Sequence, residues 1–206
     1  MLALYHAPRS RSSRIIRLID ELDIWTEVDI RLVGITHSDG TGGHDPKNPH
    51  PEGKVPLLVH DGVEIWESNA IILYLTDLFP NAGMGPSVGD PQRGRYLSWL
   101  AWYGNVVEPV LVLGAAELSH PILDVTFRGL AEMTARLNAA LDAAPYLLGE
   151  RFSAADLLMV SPFHWFPDAA PEGSPIRAWI ARCEARPSAK KTAAIDTARL
   201  EEVGAA

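Results

Sequence analysis

The chain has 206 residues, 47% hydrophobic and 21% charged, which suits one large globular domain or two smaller ones. A net charge of −8 argues against a general nucleic-acid or anionic-membrane partner. The single cysteine, Cys183, rules out an internal disulfide framework and fits a reducing, cytoplasmic setting. No basic stretch followed by a long apolar run marks a secretory leader, and the most apolar region, Val106 to Leu113, is interrupted by Glu108 and Pro109 and too short to span a bilayer.

Met1 to His6 is apolar and predicts a first strand, broken by Ala7-Pro8. In the segment that follows, Ile15, Leu18, Ile19 and Leu22 share one helical face, and Ser10, Ser12 and Ser13 offer N-capping hydroxyls. Its charges run against the helix dipole: Arg9, Arg11, Arg14 and Arg17 crowd the start, and Asp20, Glu21 and Asp23 the end. An anionic ligand at the helix start would account for the arginines; a solvated basic face is the plainer reading. Trp25 to Arg31 alternates loosely and predicts a second strand. Gly34 to Pro51 is polar and rich in glycine and proline, which predicts a long loop. Its His44, Asp45, Lys47 and His50 fit no metal-ligand spacing.

The densest pattern runs from Gly53 to Pro80. Val55, Leu57, Leu58 and Val59 predict a strand, with Pro56 at an edge or a cis turn because it removes a ladder donor. His60-Asp61-Gly62 predicts a tight hairpin into Val63 to Trp66. Ser68 is placed as the N-cap of a helix carrying Ala70, Ile71, Tyr74, Leu75 and Leu78, closed by Pro80.

Asn81 to Asp90, with Gly83, Gly85, Pro86 and Gly89, predicts a linker, and beyond it the pattern is helical. Asp90-Pro91 is read as a helix start leading to Tyr96, Trp99, Leu100, Tyr103 and Val107, with an end or kink at Pro109. Phe127, Leu130, Thr134, Leu137 and Leu141 predict a second helix. Ser153 and Asp156 form a capping-box pattern opening a third, which makes Asp156 structural. Ser174-Pro175 opens a fourth, stopped at Arg186-Pro187, and a last helix follows. The domains expected are 1–80, a linker 81–90, and an all-helical region 91–206.

Three stretches carry a family resemblance. Val55-Pro56, the hairpin and Glu67-Ser68 opening a helix resemble the glutathione-binding half of a glutathione transferase. Pro8-Arg9-Ser10-Arg11-Ser12-Ser13-Arg14 is similar to the first loop and helix of bacterial members, and LLGERFSAADLLM to the folding motif of the C-terminal domain. The resemblance implies an α/β thioredoxin-like N-terminal domain followed by an all-α helical-bundle C-terminal domain. It implies a cis Pro56, backbone pairing of Val55 with the cysteinyl part of glutathione, and Glu67 and Ser68 at the γ-glutamyl end. Arg11 adds positive charge, and Lys54 is preferred over His44 and Lys47 for the glycyl carboxylate. For the hydroxyl that meets the sulfur, Ser10 is the first choice, Ser12 the second and Tyr5 the rival. Trp102, Tyr103 and Phe163, with Trp165 and Phe166, are candidates for an apolar second-substrate pocket, each equally suited to the core.

The activity this implies is glutathione S-transfer to an apolar electrophile, with glutathione as co-substrate, no metal, and a homodimeric assembly. The alternatives are a non-catalytic glutathione- or ligand-binding protein on the same fold, and a glutathione-dependent isomerase, dehalogenase or peroxidase.

Overall fold

The computed structural model describes residues 1–204, with side chains for residues 1–200. The chain divides into two units: Met1–Ala82 together with the segment from Pro187 onward, and Gly83–Arg186.

The first unit is built on a four-stranded mixed sheet of β1 (Leu2–His6), β2 (Val28–Leu32), β3 (Leu57–His60) and β4 (Val63–Trp66), in the order β2-β1-β3-β4. Every residue of β1 is buried, as expected of a central strand covered on both faces. β1 runs parallel to β2, so the two need a crossover, which α1 (Ser13–Leu22) provides. β1 pairs antiparallel with β3, and β3 with β4. The β3–β4 turn is the two-residue loop Asp61–Gly62, with φ of 49° and 85°; two left-handed residues are what a right-twisted hairpin requires. α2 (Ser68–Leu78) follows β4 and packs against α1. One sheet face carries an apolar cluster of Tyr5, Ala7, Val33, Val55 and Leu57.

Two boundaries differ from the expected ones. β2 starts at Val28, because Asp23 takes a left-handed conformation that ends α1 and Trp25 turns back to donate from Nε1 to Asp20 at 2.8 Å. Ser68 is the first residue of α2, and the capping position belongs to Glu67, with no side-chain capping bond.

The charges that oppose the dipole of α1 have a packing explanation. α9 (Pro187–Gly204) lies against α1. Arg14 and Arg17 are buried, and Arg17 donates from Nε to Ser188 Oγ at 3.3 Å. Ser188 donates to Glu21 at 2.5 Å, and Lys191 pairs with Asp20. The last helix therefore belongs to the first unit, whereas the sequence reading grouped it with the helical region 91–206.

The second unit is helical: α3 (Arg93–Trp102), α4 (Glu108–Ala115), α5 (Pro121–Phe127), α6 (Gly129–Ala143), α7 (Ala154–Val160) and α8 (Pro175–Glu184). α3 starts at Arg93, since Asp90 Oδ1 accepts from Gln92 N at 2.7 Å and holds a turn instead of a cap. Pro109 neither ends nor breaks the helical path. A π-helical turn, Tyr103–Val107, precedes it and leaves it in the first turn of α4, where a missing N–H is tolerated. The Phe127-to-Leu141 pattern is divided by Arg128 and Gly129, both at positive φ, into α5 and α6.

Every residue of α7 is buried, and its start carries the Ser153/Asp156 capping box in full. Asp156 Oδ2 accepts from Ser153 N and Oγ, and Oδ1 accepts from Leu147 N and Trp179 Nε1, both at 2.9 Å. Burial pushes the Asp156 carboxyl above its ordinary pKa, against the pull of these donors. Among the described residues no helix is long and apolar enough to cross a membrane.

Candidate functional site

The strand register gathers three loops at one end of the sheet. Tyr5 pairs with Leu57, and Leu57 pairs with Trp66. The chain leaving β1, the chain entering β3 and the chain leaving β4 therefore lie together at that end. These carry Ser10, Val55-Pro56 and Glu67-Ser68 respectively, residues far apart in sequence that topology brings together.

The Val55–Pro56 peptide is cis, and Pro56 sits just before β3 instead of inside it. The approach to it is held by Asn48, buried to 3% exposure, whose Nδ2 donates to the Lys54 carbonyl at 3.1 Å. Gly53 has φ of 64°, and a Cβ there would stand 2.9 Å from the His44 ring, so only glycine fits. The Lys54 side chain is exposed and pairs with Glu52; His44 and Lys47 are exposed as well.

Glu67 is exposed and has φ of 69° and ψ of 124°, a conformation disfavoured for any residue with a side chain. Arg9, in the loop after β1, also has a positive φ, of 52°. Strain of this kind costs about 1–3 kcal/mol and clusters at ligand clamps. Ser68 is buried at the first position of α2.

The three candidate hydroxyls separate cleanly. Tyr5 points into the apolar cluster, and its hydroxyl accepts from Arg31 Nη1 at 2.9 Å beneath the Arg31 guanidinium. Side chains alternate along a strand, so Tyr5 faces away from its neighbour His6 and from the helix α1 side. Ser12 is fully buried. Its Oγ lies 2.7 Å from His6 Nδ1, 3.1 Å from Ala7 N, 3.1 Å from Ala7 O and 2.7 Å from Ser10 Oγ. Ser10 alone of the three is part-exposed; its hydroxyl lies 2.7 Å from Ala7 O and accepts from Ser12 N at 3.1 Å. Arg11 beside it is exposed, whereas Arg14 and Arg17 are buried.

Sequence reasoning passed over His6 and Asp196. Both are buried, and His6 Nε2 lies 3.3 Å from Asp196 Oδ1. No local signal marks them, since one closes an apolar strand and the other sits in an ordinary helical pattern.

In the second unit, Tyr103 and Phe163 are buried at 2% and 5% exposure, and Phe163 stacks edge-to-face on Trp179. Trp102 is half-buried beneath the Arg136 guanidinium, 5.0 Å from its ring centre. An apolar pocket of that unit is lined instead by Val110, Leu113, Leu118, Leu123, Phe127 and Leu130. Among the described residues no group of three His, Cys, Asp or Glu side chains could share a metal ion.

A mixed four-stranded sheet with a cis-proline loop, a strained Glu-Ser turn and an ensuing helical unit defines a thioredoxin-like protein with a helical C-terminal domain. The family models of the glutathione S-transferase N-terminal and C-terminal domains match residues 4–86 and 109–187, and the chain belongs to the glutathione S-transferase family. It is 27% identical to a dichloromethane dehalogenase of Methylorubrum extorquens over 212 residues, 91% of this chain and 72% of that protein. It is 29% identical to a disulfide-bond oxidoreductase of Escherichia coli over 172 residues, 76% of each. Its fold matches a glutathione transferase crystal structure from Methylococcus capsulatus with a TM-score of 0.77 and 25% identity, over 96% of this chain and 99% of the other.

Proposed function

We propose that the protein is a glutathione transferase that activates the glutathione thiol and joins it to an apolar electrophile. The observation that carries this reading is the register Tyr5–Leu57–Trp66, which brings the loops of Ser10, Val55-Pro56 and Glu67-Ser68 to one end of the sheet. In this reading the Val55 backbone pairs with the cysteinyl part of glutathione. Glu67 and Ser68 take the γ-glutamyl amine and carboxylate, and Lys54 the glycyl carboxylate. Arg11 adds positive charge, and Ser10 donates to the sulfur. A thiolate is a far better nucleophile than a thiol, so lowering the thiol pKa is the whole of the chemistry required of the protein.

The same thiolate serves dehalogenation, isomerisation and peroxide reduction. The likeness to a dichloromethane dehalogenase makes organic halides the first alternative class to assay. Glutathione affinity by calorimetry, measured beside turnover with aryl halides, alkyl halides, enones and peroxides, tests the reading. Turnover identifies the reaction class. Binding without any turnover would make the protein a glutathione carrier, and absence of binding would overturn the assignment.

A further inference from the structure

Three buried side chains, Asp196, His6 and Ser12, form a row that leads from α9 to part-exposed Ser10 at the candidate sulfur site. Asp196 Oδ2 accepts from Arg9 N at 2.9 Å and from Ser13 Oγ at 2.5 Å. Asp196 Oδ1 and His6 Nε2 face each other at 3.3 Å, and neither atom has a well-formed hydrogen bond among the described residues. The other ring nitrogen of His6 lies 2.7 Å from Ser12 Oγ, which lies 2.7 Å from Ser10 Oγ. His6 and Ser12 have no exposed surface at all. Buried atoms this closely arranged form a connected network rather than a set of separate contacts.

Proton positions follow from the chemistry of the groups. Burial acts to raise the Asp196 pKa, but the facing His6 ring and the hydrogen bonds from Ser13 Oγ and Arg9 N outweigh it and hold the carboxyl below its ordinary range. Asp196 is thus an acceptor only, and the neutral His6 ring carries its proton on Nε2. Nδ1 is then a lone pair, to which Ser12 donates. Ser12 Oγ in turn accepts from Ala7 N and is open to the Ser10 hydroxyl. With no ligand, the Ala7 carbonyl is the competing acceptor for Ser10, at 2.7 Å.

We propose that His6 is the proton acceptor for the glutathione thiol, acting through Ser12 and Ser10, with Asp196 as the residue that positions and charge-balances it. This rests on the placement of the sulfur at Ser10. The thiol gives its proton to Ser10 Oγ, Ser10 passes its own to Ser12 Oγ, and Ser12 passes its own to His6 Nδ1. The S–H bond breaks and an Nδ1–H bond forms. The products are a thiolate at Ser10 and a buried imidazolium facing the Asp196 carboxylate. Every hydrogen bond of the chain has reversed, so Ser10 now donates to the sulfur anion.

The other charged groups explain why a carboxylate is needed. α1 carries Arg14 and Arg17, both buried, and α9 carries part-buried Arg199, all of which oppose a second positive charge. Asp20 and Glu21 are engaged by Lys191 and Ser188 further along α1. Asp196 is the acid that faces the ring.

Proton counting tests this on the unaltered protein. Glutathione binding is followed by thiolate absorbance, and proton release is obtained by calorimetry in buffers of different ionisation enthalpy. The nitrogen resonances of His6 report its protonation. The expected result is a thiolate formed with almost no proton released, while His6 passes from the Nε2–H form to the doubly protonated ring. One proton released per thiolate, with His6 unchanged, would overturn the relay and leave the transferase reading standing. Absence of glutathione binding or of thiolate would remove both. Asp196→Asn should keep glutathione affinity, move the thiolate titration upward in pH and lower turnover on the order of 10²-fold, as for loss of a positioned acid–base group. Should that variant not fold, the wild-type proton count and the His6 resonances decide alone.

Discussion

Ser188 stands between Arg17 and Glu21, accepting from the arginine and donating to the carboxylate, and so joins α9 to α1. It is buried at 3% exposure. A hydrogen bond to a charged group contributes about 1.5–3 kcal/mol, and here a single hydroxyl makes two. Ser188→Ala should lower stability by about 2 kcal/mol, read as a shift in the urea midpoint at unchanged slope. A surface serine such as Ser98 should shift it by less than about 0.5 kcal/mol.

Glu67 is exposed and held at φ of 69° beside the start of α2. Glu67→Ala should weaken glutathione binding by about 1–3 kcal/mol, measured by calorimetry on protein whose circular dichroism is unchanged. Glu67→Gly should weaken binding similarly while raising stability, because glycine adopts that backbone conformation without penalty.

Ser10 is the part-exposed hydroxyl of the three. Ser10→Ala should move the thiolate titration upward and lower turnover about 10²- to 10³-fold, with a much smaller change in glutathione affinity. Tyr5→Phe should leave the titration where it is, since its hydroxyl is engaged by Arg31. A shift in Tyr5→Phe without one in Ser10→Ala would transfer the donor role to Tyr5.

The lowered pKa of Asp196 makes packing of α9 pH-dependent. The unfolded value is about 3.9, and the folded one lies below it. Its contribution is therefore complete above the unfolded value and disappears as pH falls through the folded one. Denaturation of wild type and Asp196→Asn should differ by about 1–3 kcal/mol at neutral pH, and the gap should close as the solution is acidified.

β4 is an outer strand of the sheet and exposes Val63 at 65% and Trp66 at 54%. An open edge with large apolar side chains favours association, and a homodimer is expected, with twice the monomer mass by light scattering. Val63→Lys should shift the population toward monomer.

Much of the fold is legible in the residues themselves. Asp61-Gly62 and the Ser153/Asp156 box depend on local chemistry and appear where the pattern puts them. What local chemistry cannot convey is tertiary demand. The arginines of α1 break a dipole rule and invite a ligand explanation, yet Arg17 serves Ser188 in a helix 171 residues further on. Ser12 looks like a cap, but its hydroxyl is drawn inward by His6 and Ala7. Pro109 looks like a terminator because a π-turn that absorbs it has no sequence signature of its own.

The docking of α9 on α1 also orders events at the ribosome. Arg9 and Asp196 are 187 residues apart, with the whole helical unit between them. Vectorial synthesis thus presents the sheet, α1 and α2 early, while the surface that covers His6 and Arg17 emerges only after the helical unit. Until then the nascent N-terminal unit carries buried-type cations and an open face, a state suited to chaperone capture. Full anchoring of the loop after β1, through Arg9 N on Asp196, then waits on the arrival of α9.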